Sequence, residues 1–297
     1  MLDHGSAARD RRLVALLVYV VAVAIPLLVA AVLFGPPLLR RRRLRRLREM
    51  PMPAHWLTIL DTYVPAARDM PAQLRQRWHE AIKVFIGDKR FIGCDGLAVT
   101  DEMRVAIAGQ ACLMILNRPD GGYDDVRWIL VYPTAFYVTR HDIDDAGVET
   151  VERTLLSGES WDSGRVIIAW DEVWRAAREG WAGESVVLHE FAHQLDQESG
   201  AVDGAPALSG HGAYEAWASV LGAEYGALQE KAARGDPSVL DHYGASDPGE
   251  FFAVATEAFF EAPMTMRDEH PALYAQLASY YGVDPAAWQA PDPDSKT

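Results

Sequence analysis

The chain is 297 residues long, 49% hydrophobic by residue type, and carries a formal charge of −14. That is ample apolar material for one large domain or two ordinary ones. Ten Arg against Asp3, Asp10 and Glu49 make residues 1–50 +7, and the remaining 18 basic and 39 acidic side chains make the rest −21. So acidic a body argues against direct nucleic-acid binding, which needs a basic footprint. The two cysteines, Cys94 and Cys112, have neither CxxC nor zinc-ligand spacing. They exclude a disulfide framework and suit buried free thiols in a reducing compartment.

Leu13 to Phe34 is an uncharged apolar run of 22 residues, interrupted only by Tyr19 and Pro26. It is long enough to cross a bilayer of about 30 Å as a helix, and one central Pro is tolerated there. No small-x-small cleavage site follows, so the run is expected to stay as an anchor. Arg40, Arg41, Arg42, Arg43, Arg45, Arg46 and Arg48 crowd its C-terminal side, against Arg9, Arg11 and Arg12 before it. The positive excess marks the cytoplasmic side and also suits contact with anionic lipid.

Residues 51–90 read helical. Trp56, Leu57, Ile59, Leu60 and Tyr63 form one amphipathic piece, and Leu74, Trp78, Ile82, Val84 and Phe85 a second after Met70-Pro71. Thr100-Asp101-Glu102 opens a helix predicted to run to Leu116. Trp128 to Tyr132, Ala135 to Val138 and Arg165 to Trp170 are β-branched and aromatic runs, predicted as strands. The last of these precedes the central motif and is expected to be the sheet edge on which an extended peptide lies. Further helices are predicted over Asp171–Gly180, Tyr214–Arg234, from Asp247 to Pro263, and over Pro271–Tyr281; Pro285 onwards reads as a polar tail.

The centre of the chain is Ser185 to Asp196, Ser-Val-Val-Leu-His-Glu-Phe-Ala-His-Gln-Leu-Asp. As a helix it stacks His189 and His193 at i and i+4 on one face, the separation at which two imidazoles share one Zn2+. Glu190 stands beside that pair, placed to take a proton from attacking water. The bland alternative is a buried helix with two hydrogen-bonded histidines. A zinc peptidase needs one more protein ligand, and the candidates are Asp196, His211, Glu250 and Glu257. The extended metzincin pattern fails, because Asp196 and Ser199 stand where it needs Gly and His. Asp196, one turn beyond His193, reads as a carboxylate that orients a ligand histidine. Glu250 and Glu257 lie seven residues apart on one helix face, and spacing does not choose between them. Asp247-Pro248-x-Glu250 also reads as a capping box with Pro at the first helical position.

Several blocks carry a resemblance. They are Gly96 to Arg104 (Gly-Leu-x-Val-Thr-Asp-Glu-Met-Arg), Ala111 to Leu113, Leu130 to Pro133, Glu159 to Trp161, His189 to Asp196 and Tyr243 to Val254. Through them the chain resembles the Mlc titration factor A family of bacterial zinc metallopeptidases, related to the catalytic domain of anthrax lethal factor. The resemblance spans roughly residues 55–285 and implies zinc held by His189, His193 and Glu250, with Glu190 as the catalytic Glu. It also implies that Tyr243 donates a hydrogen bond to the tetrahedral oxyanion, and it leaves Glu257 as a supporting carboxylate behind the ligands. The chain departs from soluble members of the family in its N-terminal apolar run.

The expected fold is α+β: a mostly helical zincin-type domain with a small mixed sheet, preceded by one transmembrane helix. The expected plan is a short extracytoplasmic N-terminus (1–12), a transmembrane helix (13–34), a basic juxtamembrane linker (35–54), a zinc metallopeptidase domain (55–285) and a polar tail (286–297). The expected activity is Zn2+-dependent hydrolysis of a peptide or protein by a single-pass protein of the inner or plasma membrane, its domain facing the cytoplasm. The alternative is a zinc-binding regulator that sequesters a transcriptional repressor.

Overall fold

The computed structural model describes the backbone of residues 4–118, 122–143, 149–156, 158–161, 164–179, 184–208 and 210–289, and within them the side chains except at 4–16, 18, 30, 136–161, 211 and 289. The chain divides into two units, residues 1–50 and 51–297. The first is one helix, α1 (His4–Glu49), long and apolar enough to cross a membrane. It outruns the expected span: much of the predicted basic linker is helical, and Arg45 pairs with Glu49 at 3.1 Å, one turn on. Leu and Arg are good helix formers, so the arginine run continues the helix instead of ending it.

The second unit opens with α2 (Ala54–Tyr63) and α3 (Ala72–Asp88), then β1 (Arg90–Gly93) and α4 (Asp101–Ala111). Thr100 caps α4 as the sequence suggested, its hydroxyl accepting from the Met103 N–H at 3.2 Å. The strands are β2 (Trp128–Tyr132), β3 (Phe136–Ile143), β4 (Glu149–Leu156), β5 (Gly158–Trp161) and β6 (Arg165–Ala169). Helices α5 (Trp170–Glu179), α6 (Val186–Gln197), α7 (His211–Arg234), α8 (Pro248–Glu261), α9 (Pro263–Glu269), α10 (Pro271–Tyr281) and α11 (Pro285–Gln289) complete the unit. The expected tail therefore begins as a helix, with Ala286 and Trp288 buried in the core.

The main sheet has the order β1-β2-β6-β5, with β1, β2 and β6 parallel and β5 antiparallel to β6. Ile129 and Val131 of β2 stand opposite Val166 and Ile168 of β6, and all four are buried. This corrects one expectation. β6 is paired on both sides, so it offers no free edge; the edge beside it is β5. A run as apolar as Val166 to Ala169 is what a strand covered on both faces requires. β3 and β4 form a separate antiparallel hairpin, with Arg140 in register with Glu152.

The core lies between the sheet and helices α4, α6, α8 and α10. Every described residue of α8 from Gly249 to Glu261 is buried except Glu250. The buried run from Phe251 to Glu261 goes right round the helix, the pattern of one with no solvent face. Cys94 is half-buried and Cys112 buried, and both are free thiols.

Candidate metal centre

Helix α6 starts where a hydroxyl can satisfy its first N–H groups. Ser185 accepts from the Leu188 N–H at 3.2 Å and donates to Gln110 Oε1 of α4 at 2.6 Å, fixing the start of α6 against a neighbour. Val187, Leu188, Phe191, Ala192 and Leu195 are fully buried. That leaves His189 and His193 together on a face opposed to α8, their rings 4.8 Å apart and nearly perpendicular.

Helix α8 brings a carboxylate to the same point. Asp247 accepts the Glu250 N–H at 3.0 Å, with Pro248 at the first helical position, so half of the expected capping box is made. The Glu250 side chain makes a different contact. Its Oε2 lies 2.8 Å from His189 Nε2 and 3.4 Å from His193 Nε2, and the two nitrogens are 3.1 Å apart. Four-coordinate zinc with bonds of about 2.0–2.1 Å holds its ligand atoms roughly 3.3 Å from one another. The three atoms thus form a triangle of the right chemistry and size, and these residues can hold a metal ion. Among the described residues Glu250 Oε2 is buried without a conventional hydrogen bond, as a ligand oxygen reserved for a cation would be.

The surrounding charges are arranged around that triangle. Glu257, seven residues after Glu250 and 4% exposed, places Oε1 2.7 Å from His189 Nδ1. The His189 ring is therefore held between two carboxylates of one helix. Burial lowers its pKa, but the adjoining carboxylates of Glu250 and Glu257 outweigh this and raise it well above the ordinary value. Burial raises Glu250, yet the two histidines win and hold its carboxyl well below the usual range. Glu257 is pushed up to about 7 by burial, against the pull of His189. Glu190 is also buried, has an Oε2 with no hydrogen-bond partner among the described residues, and is raised to about 7 by burial against the two histidines. A carboxyl group near pH 7 accepts and returns protons readily at neutral pH.

Tyr243 sits on the 3-10 turn His242–Ala245, its N–H held by Asp241 Oδ1 at 2.6 Å. Its ring lies 6.0 Å from that of His189, and the residue is 58% exposed. Burial of the hydroxyl and the neighbouring Glu250 charge push its pKa to about 12, so it stays a protonated donor.

Asp196 differs from expectation. It is fully buried, but among the described residues His193 Nδ1 has no partner, and Asp196 Oδ2 accepts the Gly204 N–H at 2.8 Å. It grips a loop, because the chain turns away beyond Gln197 and brings Gly204 back to it. Nothing local in the sequence marks Gly204 as its partner. The side chain of His211, the other rival ligand, lies outside the described residues. A separate cavity of ≈ 590 Å³, lined by Arg118, Glu198, Trp217 and Tyr280 among others, includes none of the three triangle residues. It is therefore distinct from the metal centre.

Residues 38–282 match the family described as glucose-regulated metallo-peptidase M90. The chain belongs to this family. An uncharacterized protein of Synechocystis sp. is 39% identical over 268 residues, covering 89% of this chain and 97% of that protein. The Mlc titration factor A of Pectobacterium atrosepticum is 31% identical over 242 residues, 79% of this chain and 89% of that one. Its counterpart in Yersinia enterocolitica is 28% identical, with 80% and 88% covered. The family read from the sequence blocks is thus the right one, and family and triangle agree on a metal-dependent centre.

Proposed function

We propose that this chain is a zinc-dependent peptidase with a zincin-type catalytic domain over residues 55–285, closed by α11, and held at a membrane by α1. The observation that carries the reading is the convergence of His189 Nε2, His193 Nε2 and Glu250 Oε2 beside the buried carboxyl of Glu190. Two imidazoles and one carboxylate are the thermolysin-type donor set, which favours zinc. Bound there, zinc supplies a Lewis acid that acidifies water and polarises the scissile carbonyl.

The chain's own residues do the rest. Glu257 accepts the Nδ1–H of His189, which leaves the Nε2 lone pair directed at the triangle. Glu190 takes the proton of the attacking water and returns it to the leaving amine, a transfer its raised pKa suits. Tyr243, protonated at neutral pH, donates to the oxyanion as it forms. β5, the edge strand among the described residues, is where a peptide backbone can pair without its side chains being read.

The full chain purified in detergent tests this. It should hold one zinc, cleave members of a peptide library, lose cleavage to a chelator and regain it with zinc. A chain that retains no zinc, or that holds zinc and cleaves no peptide, sinks the proposal. The apolar stretch of α1 and the arginines after it support a domain on the cytoplasmic side of the inner or plasma membrane. Alkaline carbonate should leave the protein in the membrane, and protease added to intact spheroplasts should spare the domain; release or digestion refutes the placement.

A second reading has one finding in its favour: two relatives bear a name that speaks of titrating Mlc. On that reading the chain binds zinc and sequesters a transcriptional repressor. Glu190→Gln separates the two, because a sequestering protein keeps its cellular effect in that variant and a peptidase loses it.

A further inference from the structure

Burying a carboxylate needs compensation, and Asp196 is 0% exposed. Its compensation comes from the loop after α6: Oδ2 accepts the Gly204 N–H at 2.8 Å, while Oδ1 has no partner among the described residues. The same glycine is fixed from two other directions. Its carbonyl accepts the indole N–H of Trp217 at 2.8 Å, which ties it to α7. Its backbone has a φ of +76°, and a Cβ there would lie 2.3 Å from the Pro248 carbonyl oxygen, so it lies flat against the first turn of α8. Val202, two residues earlier, closes on Gly249: a Cβ on Gly249 would come within 3.0 Å of it.

The loop is thus a spacer between two ends. One end is Asp196, three residues after His193; the other is Pro248 and Gly249, immediately before Glu250. We propose that Asp196 is a positioning residue: by holding Gly204 it sets the separation between the end of α6 and the first turn of α8, and so where Glu250 meets His189 and His193. Among the described residues no hydrogen bond joins Asp196 to His189, His193 or Glu250; its grip is on the loop. The inference rests on the triangle being a zinc site.

The test is zinc affinity of the full chain in detergent, by competition with a chromogenic chelator, together with melting of the chelated protein and the visible spectrum of its cobalt(II) form. Asp196→Ala should weaken zinc binding about 10–100-fold, the range for residues that support ligands without being ligands. It should also lower the intensity of the tetrahedral cobalt bands. Asp196→Asn keeps an acceptor oxygen for Gly204 and should restore both. A merely structural Asp196 predicts a lower melting temperature with wild-type zinc affinity and cobalt spectrum, and that result overturns the proposal. Should Asp196→Ala fail to fold, Trp217→Phe decides: it leaves a smaller aromatic ring in place and removes the N–H that holds Gly204. Weaker zinc binding in it supports the spacer, and unchanged binding overturns it. If wild type binds no zinc, the zinc-site reading itself fails, which is a different outcome from wild-type binding unchanged by these substitutions.

Discussion

Helices α6 and α8 meet at one metal centre, yet they contribute to it by different means. On α6 the two histidines are placed relative to each other by the helix alone, at i and i+4. On α8 the two carboxylates are seven residues apart on one face, and each finds a different nitrogen of one ring: Glu250 faces His189 Nε2 and Glu257 faces Nδ1. The histidine pair is a local property of twelve residues, whereas the third corner of the triangle is a property of how two buried helices pack. Glu250 also reaches His193 Nε2, at 3.4 Å, and that second contact distinguishes it from Glu257.

Substitutions on the two helices should therefore fail in different ways. The largest effect is expected from Glu250→Ala, which removes a corner of the triangle: zinc should fall from one per chain to none after dialysis, with cleavage gone. Retention of stoichiometric zinc would show that another carboxylate or His211 completes the site. Next comes Glu190→Gln on α6, which should leave zinc in place and lower kcat by about 10²–10⁴-fold, the span for a general base. Zinc lost together with activity would make Glu190 a ligand and overturn the division of labour between the helices.

The same contrast explains what could be read from the sequence. The α6 motif, the Thr100 cap, the Asp247-Pro248 start and the strands β2 and β6 are all short-range patterns, and all are present. Glu250 and Glu257 were not separable, because the deciding distance is set by packing against His189. Resemblance to a family, not spacing, put Glu250 forward. β4 escaped notice because Glu149, Glu152 and Arg153 obscure its alternation, and β6 was misplaced at the edge because pairing order depends on where Gly158 to Trp161 returns. From spacing Asp196 pairs with a histidine one turn back, whereas a loop returning eight residues later supplies its partner. Apart from β4, these differences all concern contacts between segments.

Tyr243 tests the turn that leads into α8. Its hydroxyl is held beside Glu250 and kept protonated, so Tyr243→Phe should leave zinc content and KM nearly unchanged. kcat should drop by about 10²–10³-fold, as for loss of one oxyanion donor. An unchanged kcat would remove Tyr243 from the chemistry and leave it as an exposed ring near His189.

The smallest expected effect is the most informative about α8. Glu257→Gln keeps the shape and an acceptor oxygen but removes the charge that raises the His189 pKa. With that charge gone, the Nδ1–H bond is weaker and the ring is a poorer donor to metal. Zinc should bind about 10–100-fold less tightly, yet still reach one per chain at saturation, because the triangle itself is untouched. Competition with a chelator at increasing zinc measures both quantities at once. Full occupancy at reduced affinity means that the two carboxylates of α8 do different work on one imidazole. Loss of stoichiometry would instead make Glu257 a corner of the site, and the 3.4 Å approach of Glu250 to His193 would no longer be what separates them.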